Sequence, residues 1–350
     1  SQVYQTIYQE AQISKQDLAT KLQLSLPTVS QNLLELEKVG LIEKAGYYSS
    51  TGGRKPSIIQ AVRTARVAAG LEIIREMAHL VVVDLYGSLL WENRLHLPFC
   101  KSEEYFDTLC QWVENQLHTL QVDQSHLLGI GISIQGLVAP DGISIVFSPL
   151  QEGVMLTDFS ARLSYPCVMI HDVEAAAAAE IWYQPDLKDA VYISLNRNMG
   201  GALIVNGAVH TGSHYSSATV EHMCYCGKQG CLEVYCSALT LQQDADENAE
   251  QFFFNLRLGR QKETSIWEEY LRNLALAIDN MRMVIRSDIL IGGYLQSYMT
   301  PEDIAKIKQY VHEQTFFKVD DLHIKSSLCG EKATAIGCAL HYIKQFLQSV

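Results

Sequence analysis

The chain has 350 residues, nine cysteines, and 39 Asp/Glu against 27 Lys/Arg, for a net charge of −12. That length allows two or three domains with large cores, and no apolar run is long enough to span a bilayer. An odd cysteine count, with Cys100, Cys110, Cys167 and Cys338 set among apolar residues, points to free thiols in a reducing compartment rather than a disulfide framework. Nothing at the start reads as a signal peptide, so a cytoplasmic protein is expected.

The charge is uneven. Residues 1–66 hold eight Lys/Arg and five Asp/Glu, so this head is +3 and the remainder carries −15. A basic head on an acidic body is the pattern of a DNA-binding module joined to a sensor. Within the head, Ile7, Ala11, Ile13, Leu18 and Leu22 fall at helical spacing, interrupted near 12–14. Ser14 with Asp17 three places on predicts a capped helix over 15–22.

Gln23-Leu24-Ser25 forms a turn, Ser25 caps a second helix from Leu26, and Pro27 fits the first turn. Val29, Leu33, Leu34 and Leu36 are expected to pack inward, leaving Thr28, Ser30, Gln31 and Asn32 on or near the outer face. Two short helices, a tight turn and a polar face describe a helix-turn-helix; a three-helix protein-interaction module is the alternative. Residues 42–59 carry a glycine-bearing stretch. Its Arg54 and Lys55, after two glycines, suit a minor groove or phosphates, unless this is a solvated loop at a domain junction.

From 67 the pattern becomes α/β. Residues 67–90 alternate as a hairpin or meander, 105–120 are helical, and Leu128-Gly-Ile-Gly-Ile-Ser-Ile-Gln135-Gly136 is a strand entering a glycine turn. Cys167–His171 reads as a buried strand followed by an alanine-rich helix opening at Asp172, which can cap it. Residues 189–207 read as strand, turn, strand; 265–286 as a long amphipathic helix; and 288–293 as a strand ending in two glycines.

His222, Cys224, Cys226 and Cys231 fall within ten residues, with Gly227 and Gly230 bending the backbone between them. Thiolates and an imidazole converging from one loop suit tetrahedral Zn2+. Only one residue separates His222 from Cys224, and alternate residues of an extended strand point the same way. Cys236 or His214 stands as a replacement for His222.

The Cys-x-Cys-Gly-x-x-Gly-Cys-x-Glu wording resembles the zinc loop of the ROK family (repressors, open reading frames, kinases). Residues 14–42 look like the winged helix of its repressor branch, which implies a wing over about 42–59, and Gly-Gly-Arg54-Lys55-Pro is similar to its Gly-Gly-Arg-Pro segment. The resemblance implies an α/β fold: a winged helix-turn-helix over 1–66, then a two-lobed, actin-like and sugar-kinase-like (ribonuclease H-like) body. Its lobes would be 67–184 and 185–350, with the final helix returning to the first.

In the family's kinases Asp172 would be the general base, while His222 and Glu233 would hold sugar. Here His171 replaces an Asn and Thr219 a Glu. Both phosphate loops depart from the family: Glu72-Ile-Ile-Arg-Glu76 stands where an Asp and a Gly-Gly-Thr loop belong, and Asn196-Arg197-Asn198 occupies Gly-Thr-Gly. Backbone N–H groups need glycine there to approach phosphate.

The resemblance therefore implies no kinase activity. It implies a regulator, most simply a repressor, of sugar-metabolism genes: a homodimer or homotetramer binding operator DNA and a carbohydrate effector, with Zn2+ holding the Glu233 loop. The alternatives are an ATP-dependent sugar kinase with a regulatory head, or a regulator answering to a protein partner.

Overall fold

The computed structural model describes residues 1–48, 56–120, 124–139, 141–148, 150–210, 224, 227, 229–316 and 322–350. Contacts divide the chain into two units, Ser1–Ile170 with Cys338–Val350, and His171–Gly337.

The first unit begins with α1 (Gln2–Glu10), β1 (Ile13–Ser14), α2 (Lys15–Leu22), α3 (Leu26–Lys38), β2 (Ile42–Tyr47) and β3 (Ser57–Ala61). Ser14 Oγ accepts from Asp17 N at 3.1 Å and Ser25 Oγ from Thr28 N at 3.2 Å, so both helices start where their caps predict. Tyr4, Ile7, Leu18 and Val29 fill the core of the head, and the strands pair in the order β1-β3-β2, all antiparallel. One expectation fails here. Leu34 is 66% exposed, whereas Val29, Leu33 and Leu36 are buried. A step of one residue turns a helix by about 100°, which carries Leu34 off the inward face that Leu33 occupies.

The body of this unit continues with β4 (Val67–Ile73), β5 (Met77–Asp84), β6 (Leu89–His96), α4 (Glu103–Thr119) and β7 (Leu127–Ile134). A small ladder of β8 (Leu137–Val138) and β9 (Ile145–Phe147), then α5 (Thr157–Ser160) and β10 (Cys167–His171), complete it. The sheet order is β10-β7-β4-β5-β6; β4, β5 and β6 form an antiparallel meander, and β7 runs parallel to β4. Almost every residue of β4 is buried, as expected of a central strand covered on both faces. The head joins this sheet without a spacer: Arg63 Nε donates to Asp84 Oδ2 at 2.8 Å, and Leu85 N donates to Arg63 O at 3.0 Å.

The second unit holds α6 (Asp172–Tyr183), β11 (Ala190–Leu195), β12 (Met199–Val205), β13 (Ala208–His210), α7 (Glu233–Cys236), α8 (Ala238–Ala245) and α9 (Ala249–Arg257). It continues with α10 (Gln261–Arg282), β14 (Asp288–Gly292), α11 (Pro301–Gln314), β15 (Ile324–Ser326) and the start of α12 (Ala333–Ser349). Its sheet order, β13-β12-β11-β14-β15, repeats that of the first unit: an antiparallel meander whose first member has a parallel strand on its other side, with one further strand beyond. Helix α10 begins and ends about a turn earlier than its apolar spacing suggests. Met283 and Val284, which extend the pattern, lie beyond its end and face solvent. Gly337 on α12 is a packing requirement, because a Cβ there would run into the carbonyl of Ala175 on α6.

Among the described residues, no helix is long and apolar enough to cross a membrane.

Candidate functional site

Two regions carry the residues singled out above. On α3, Thr28 and Gln31 are exposed, while Ser30 and Asn32 are half-buried. All four side chains are partly engaged locally: Ser30 Oγ donates to Leu26 O (2.6 Å), Asn32 Nδ2 to Thr28 O (2.9 Å), and Gln31 Nε2 to Glu35 Oε1 (3.4 Å). Thr28 Oγ1 lies 2.8 Å from the capping Ser25 Oγ. Facing directly away from Val29, Leu33 and Leu36, the helix presents Pro27, Gln31, Leu34 and Lys38, spaced i, i+4, i+7 and i+11. Arg54 and Lys55 lie outside the described residues.

In the second unit, the turn between β11 and β12 is tied to Glu233 at the start of α7. Its Oε1 accepts from Asn198 Nδ2 at 2.9 Å and its Oε2 from Met199 N at 2.7 Å. Gly200, next along β12, lies so close to Val173 on α6 that a Cβ would collide with the Val173 side chain. Asp172, the first residue of α6, is thereby brought to the same end of the sheet as Glu233. It does not cap the helix in the usual way: the N-cap is His171, and Asp172 Oδ1 accepts from the adjacent Val173 N at 2.9 Å. His171 sits between two carboxylates, with Nε2 3.3 Å from Asp172 and Nδ1 3.8 Å from Glu174. Burial alone would lower the pKa of this ring, but Glu174 and Asp172 outweigh it and raise the value. Burial likewise pushes the Glu233 carboxyl up, against the two hydrogen bonds that favour its charged form. His222 lies outside the described residues.

The segments that match phosphate loops are closed by the chain's own groups. In the first, Ile74 N donates to Met77 O at 3.0 Å, while the carbonyls of Arg75 and Glu76 accept from Phe99 N and Leu97 N. The buried Gln151 ties the loop to the next turn: its Nε2 donates to Ile73 O (3.1 Å) and its Oε1 accepts from Gln135 N (2.8 Å). In the second, Asn196 Oδ1 accepts from Tyr294 N at 2.7 Å and its Nδ2 donates to Ser194 Oγ at 3.0 Å. Asn198 is held by Glu233.

Of the cysteine loop, Cys224 and Cys231 are described, while Cys226 and His222 lie outside the described residues. Gly227 and Gly230 both have left-handed backbones (φ 80° and 78°), and Gly227 N donates to Cys224 O at 2.9 Å, so the chain turns sharply between the two cysteines. Among the described residues, no three His, Cys, Asp or Glu side chains group as a metal site. Cys236, the other cysteine considered for this loop, lies on α7. It is fully buried in the second unit's core, its Sγ donates to Tyr270 O at 3.8 Å, and burial raises its thiol pKa well above the usual range, which keeps it protonated.

Two buried polar residues escape a reading of the sequence. Gln151 is one. The other is Glu180 on α6, whose carboxylate accepts from Ser327 Oγ (2.5 Å), Leu328 N (3.1 Å), Cys329 N (3.1 Å) and Gln184 Nε2 (2.7 Å). Neither sits in a motif, so nothing local announces it.

The sequence profile of the ROK family matches residues 68–345, and that of a winged helix-turn-helix DNA-binding domain matches residues 2–43. The chain is 21% identical over 379 residues to a xylose repressor of Caldicellulosiruptor bescii, covering 99% of this chain and 95% of that one. It superposes on the crystal structure of a ROK family transcriptional regulator, a homologue of the E. coli MLC protein. The TM-score is 0.79 at 21% identity, over 99% of this chain and 94% of that one. A ROK family glucokinase from Streptomyces griseus, solved with glucose and AMPPNP, matches 79% of this chain and 98% of its own, with TM-score 0.69 and 19% identity. At these identities the structural matches establish the fold.

Proposed function

Because this chain belongs to the ROK family, we propose that it is a DNA-binding transcriptional regulator of sugar-metabolism genes, acting as a repressor, whose sugar-kinase-like body serves as an effector sensor. The observation that carries this reading is the winged helix-turn-helix head joined directly to a ROK body. The full-length relative named as a xylose repressor supports it.

Kinase activity is not part of this reading. Phosphate transfer needs free backbone N–H groups and a cation-bearing pocket for the transferred group. Around the first loop Ile74 N is taken by Met77 O, and around the second Asn196 and Asn198 are spent on Tyr294 and Glu233. Asp172 then serves as a ligand contact beside His171, and His222 and Glu233 complete a polyol-binding set. Zn2+ held by Cys224, Cys226, Cys231 and His222 would brace the loop leading into Glu233 and supply no reaction chemistry; the two left-handed glycine turns between the thiols fit such a loop. The protein acts as a homodimer or homotetramer, and a carbohydrate shifts it between states that differ in operator affinity.

The test is fluorescence anisotropy of the full-length protein on DNA from upstream of its own gene, across a salt series. Nanomolar, sequence-selective, salt-sensitive binding is expected, together with no heat on titration of Mg-ATP. Equally weak binding to all DNA, or phosphorylation of any sugar in a panel, would overturn the reading.

A further inference from the structure

The outward stripe of α3 has an unusual composition for a DNA-reading surface. Pro27, Gln31 and Leu34 occupy its first two and a half turns, flanked by the exposed Thr28, and the first cation on the helix is Lys38 at its last position. Leu34 sets this stripe apart, because a leucine 66% exposed on a short helix contributes nothing to the core of the head. In the major groove, guanine is read chiefly by Arg or Lys, adenine by Asn or Gln, and the thymine C5-methyl by apolar groups.

We propose that α3 reads A·T pairs, with Gln31 on the N6 and N7 edge of an adenine and Leu34 on a thymine methyl. This rests on the DNA-binding reading above and adds the base class it recognises. Glu35 acts as a positioning residue. It accepts one Nε2 hydrogen of Gln31, which leaves the other hydrogen for adenine N7 and the amide oxygen for the adenine N6 amino group. Asn32 is a poorer candidate for base contact, being half-buried with its amide turned back to Thr28 O.

The experiment selects binding sites for the full-length protein from random duplex DNA, then measures affinity for the winning site with base analogues. A·T pairs should dominate the major-groove positions of each half-site. Replacing the contacted adenine by 7-deazaadenine should weaken wild-type binding roughly tenfold or more and leave Gln31→Ala unaffected. Replacing the contacted thymine by deoxyuracil should weaken the wild type several-fold and leave Leu34→Ala unaffected. Both side chains are exposed, and unchanged melting of the variants would confirm that they fold. Half-sites dominated by G·C pairs would overturn the inference while leaving a DNA regulator intact; cytosine enrichment that disappears in Glu35→Gln would reassign the reading to Glu35. If no sequence is enriched and binding does not respond to salt, the DNA-binding proposal falls and takes this one with it.

Discussion

Tyr8 on α1 and Tyr86 at the turn after β5 stack face to face, with ring centroids 4.3 Å apart and planes 14° from parallel. Each hydroxyl donates to the main chain on the other side, Tyr8 to Leu85 O at 2.7 Å and Tyr86 to Tyr8 O at 3.1 Å. Arg63 covers the outer face of Tyr86, with its guanidinium carbon 4.5 Å from the ring centre. This clamp makes the head part of the first unit's fold. Tyr8→Phe should cost about 1 kcal/mol through loss of one hydrogen bond. A double-mutant cycle with Tyr8→Ala and Tyr86→Ala should show coupling of about 1 kcal/mol in urea unfolding. Additive effects would mean that the rings do not support one another.

Asp303 should make the second unit acid-sensitive. Its carboxylate accepts from Thr300 N (2.8 Å), Thr300 Oγ1 (2.9 Å), Trp267 Nε1 (2.8 Å) and Arg257 Nη2 (3.0 Å). Burial alone would raise its pKa, but these donors outweigh it and lower the value. With the folded pKa below the unfolded one, about 3.9, the stabilisation is present above the unfolded value. It is lost as pH falls through the folded value. Asp303→Asn should therefore lose about 2 kcal/mol at neutral pH, with the gap to wild type narrowing below about pH 4. A gap that stays constant down to acid would show that the charge is not what stabilises.

Glu180 should be felt at a distance in sequence. It organises the turn over 327–330 that precedes α12, and Gln at this position keeps one acceptor oxygen where the carboxylate used two. A cost of about 1–3 kcal/mol is expected for Glu180→Gln. A second readout separates this from general loosening. Burial first, and the Glu180 charge next, raise the Cys329 thiol pKa. Removing the charge should speed site-resolved alkylation of Cys329, and an unchanged rate at unchanged stability would show that the carboxylate does not govern this turn.

How much the sequence reveals depends on how local each signal is. Ser14 and Ser25 fix helix starts through contacts three residues away, so the beginnings of α2 and α3 are legible from a few neighbouring residues. The β4–β6 meander and the β10–α6 junction follow from apolar runs broken by turns. Leu34 is misleading because Leu33-Leu34 reads as one apolar pair, although on α3 the inward face centred on Val29, Leu33 and Leu36 leaves Leu34 on the far side. The repeated sheet order leaves no trace in the residues, since topology constrains apolar patterning and not identity. Gln151 bonds a carbonyl 78 positions away and Glu180 a hydroxyl 147 positions away, and no sequence window joins such partners.

Metal removal gives a direct test of the cysteine loop. The purified protein should contain roughly one Zn2+ per chain. Chelation or Cys231→Ser should lower the melting temperature and weaken effector binding, because the loop leads directly into Glu233 and α7. Protein free of metal with unchanged melting would mean that the thiols are merely neighbours.

Asn198 and Glu233 offer the sharpest electrostatic test of the candidate site. The amide of Asn198 donates to a carboxylate already pushed toward its neutral form by burial, so the pair depends on a donor at this position. Asn198→Asp replaces that donor with a second carboxylate at about the same separation, and two such groups cannot both ionise without large repulsion. At neutral pH the variant should be destabilised by about 1–3 kcal/mol and lose effector affinity. As pH falls, one proton shared between the two carboxyls restores a hydrogen bond, so the stability deficit should shrink through the range where the raised Glu233 carboxyl titrates. Asn198→Ser, which keeps a hydroxyl donor and adds no charge, should lack this pH dependence. Urea unfolding of the three proteins between about pH 4 and pH 8 checks it, and parallel curves would mean that Asn198 and Glu233 are not electrostatically coupled.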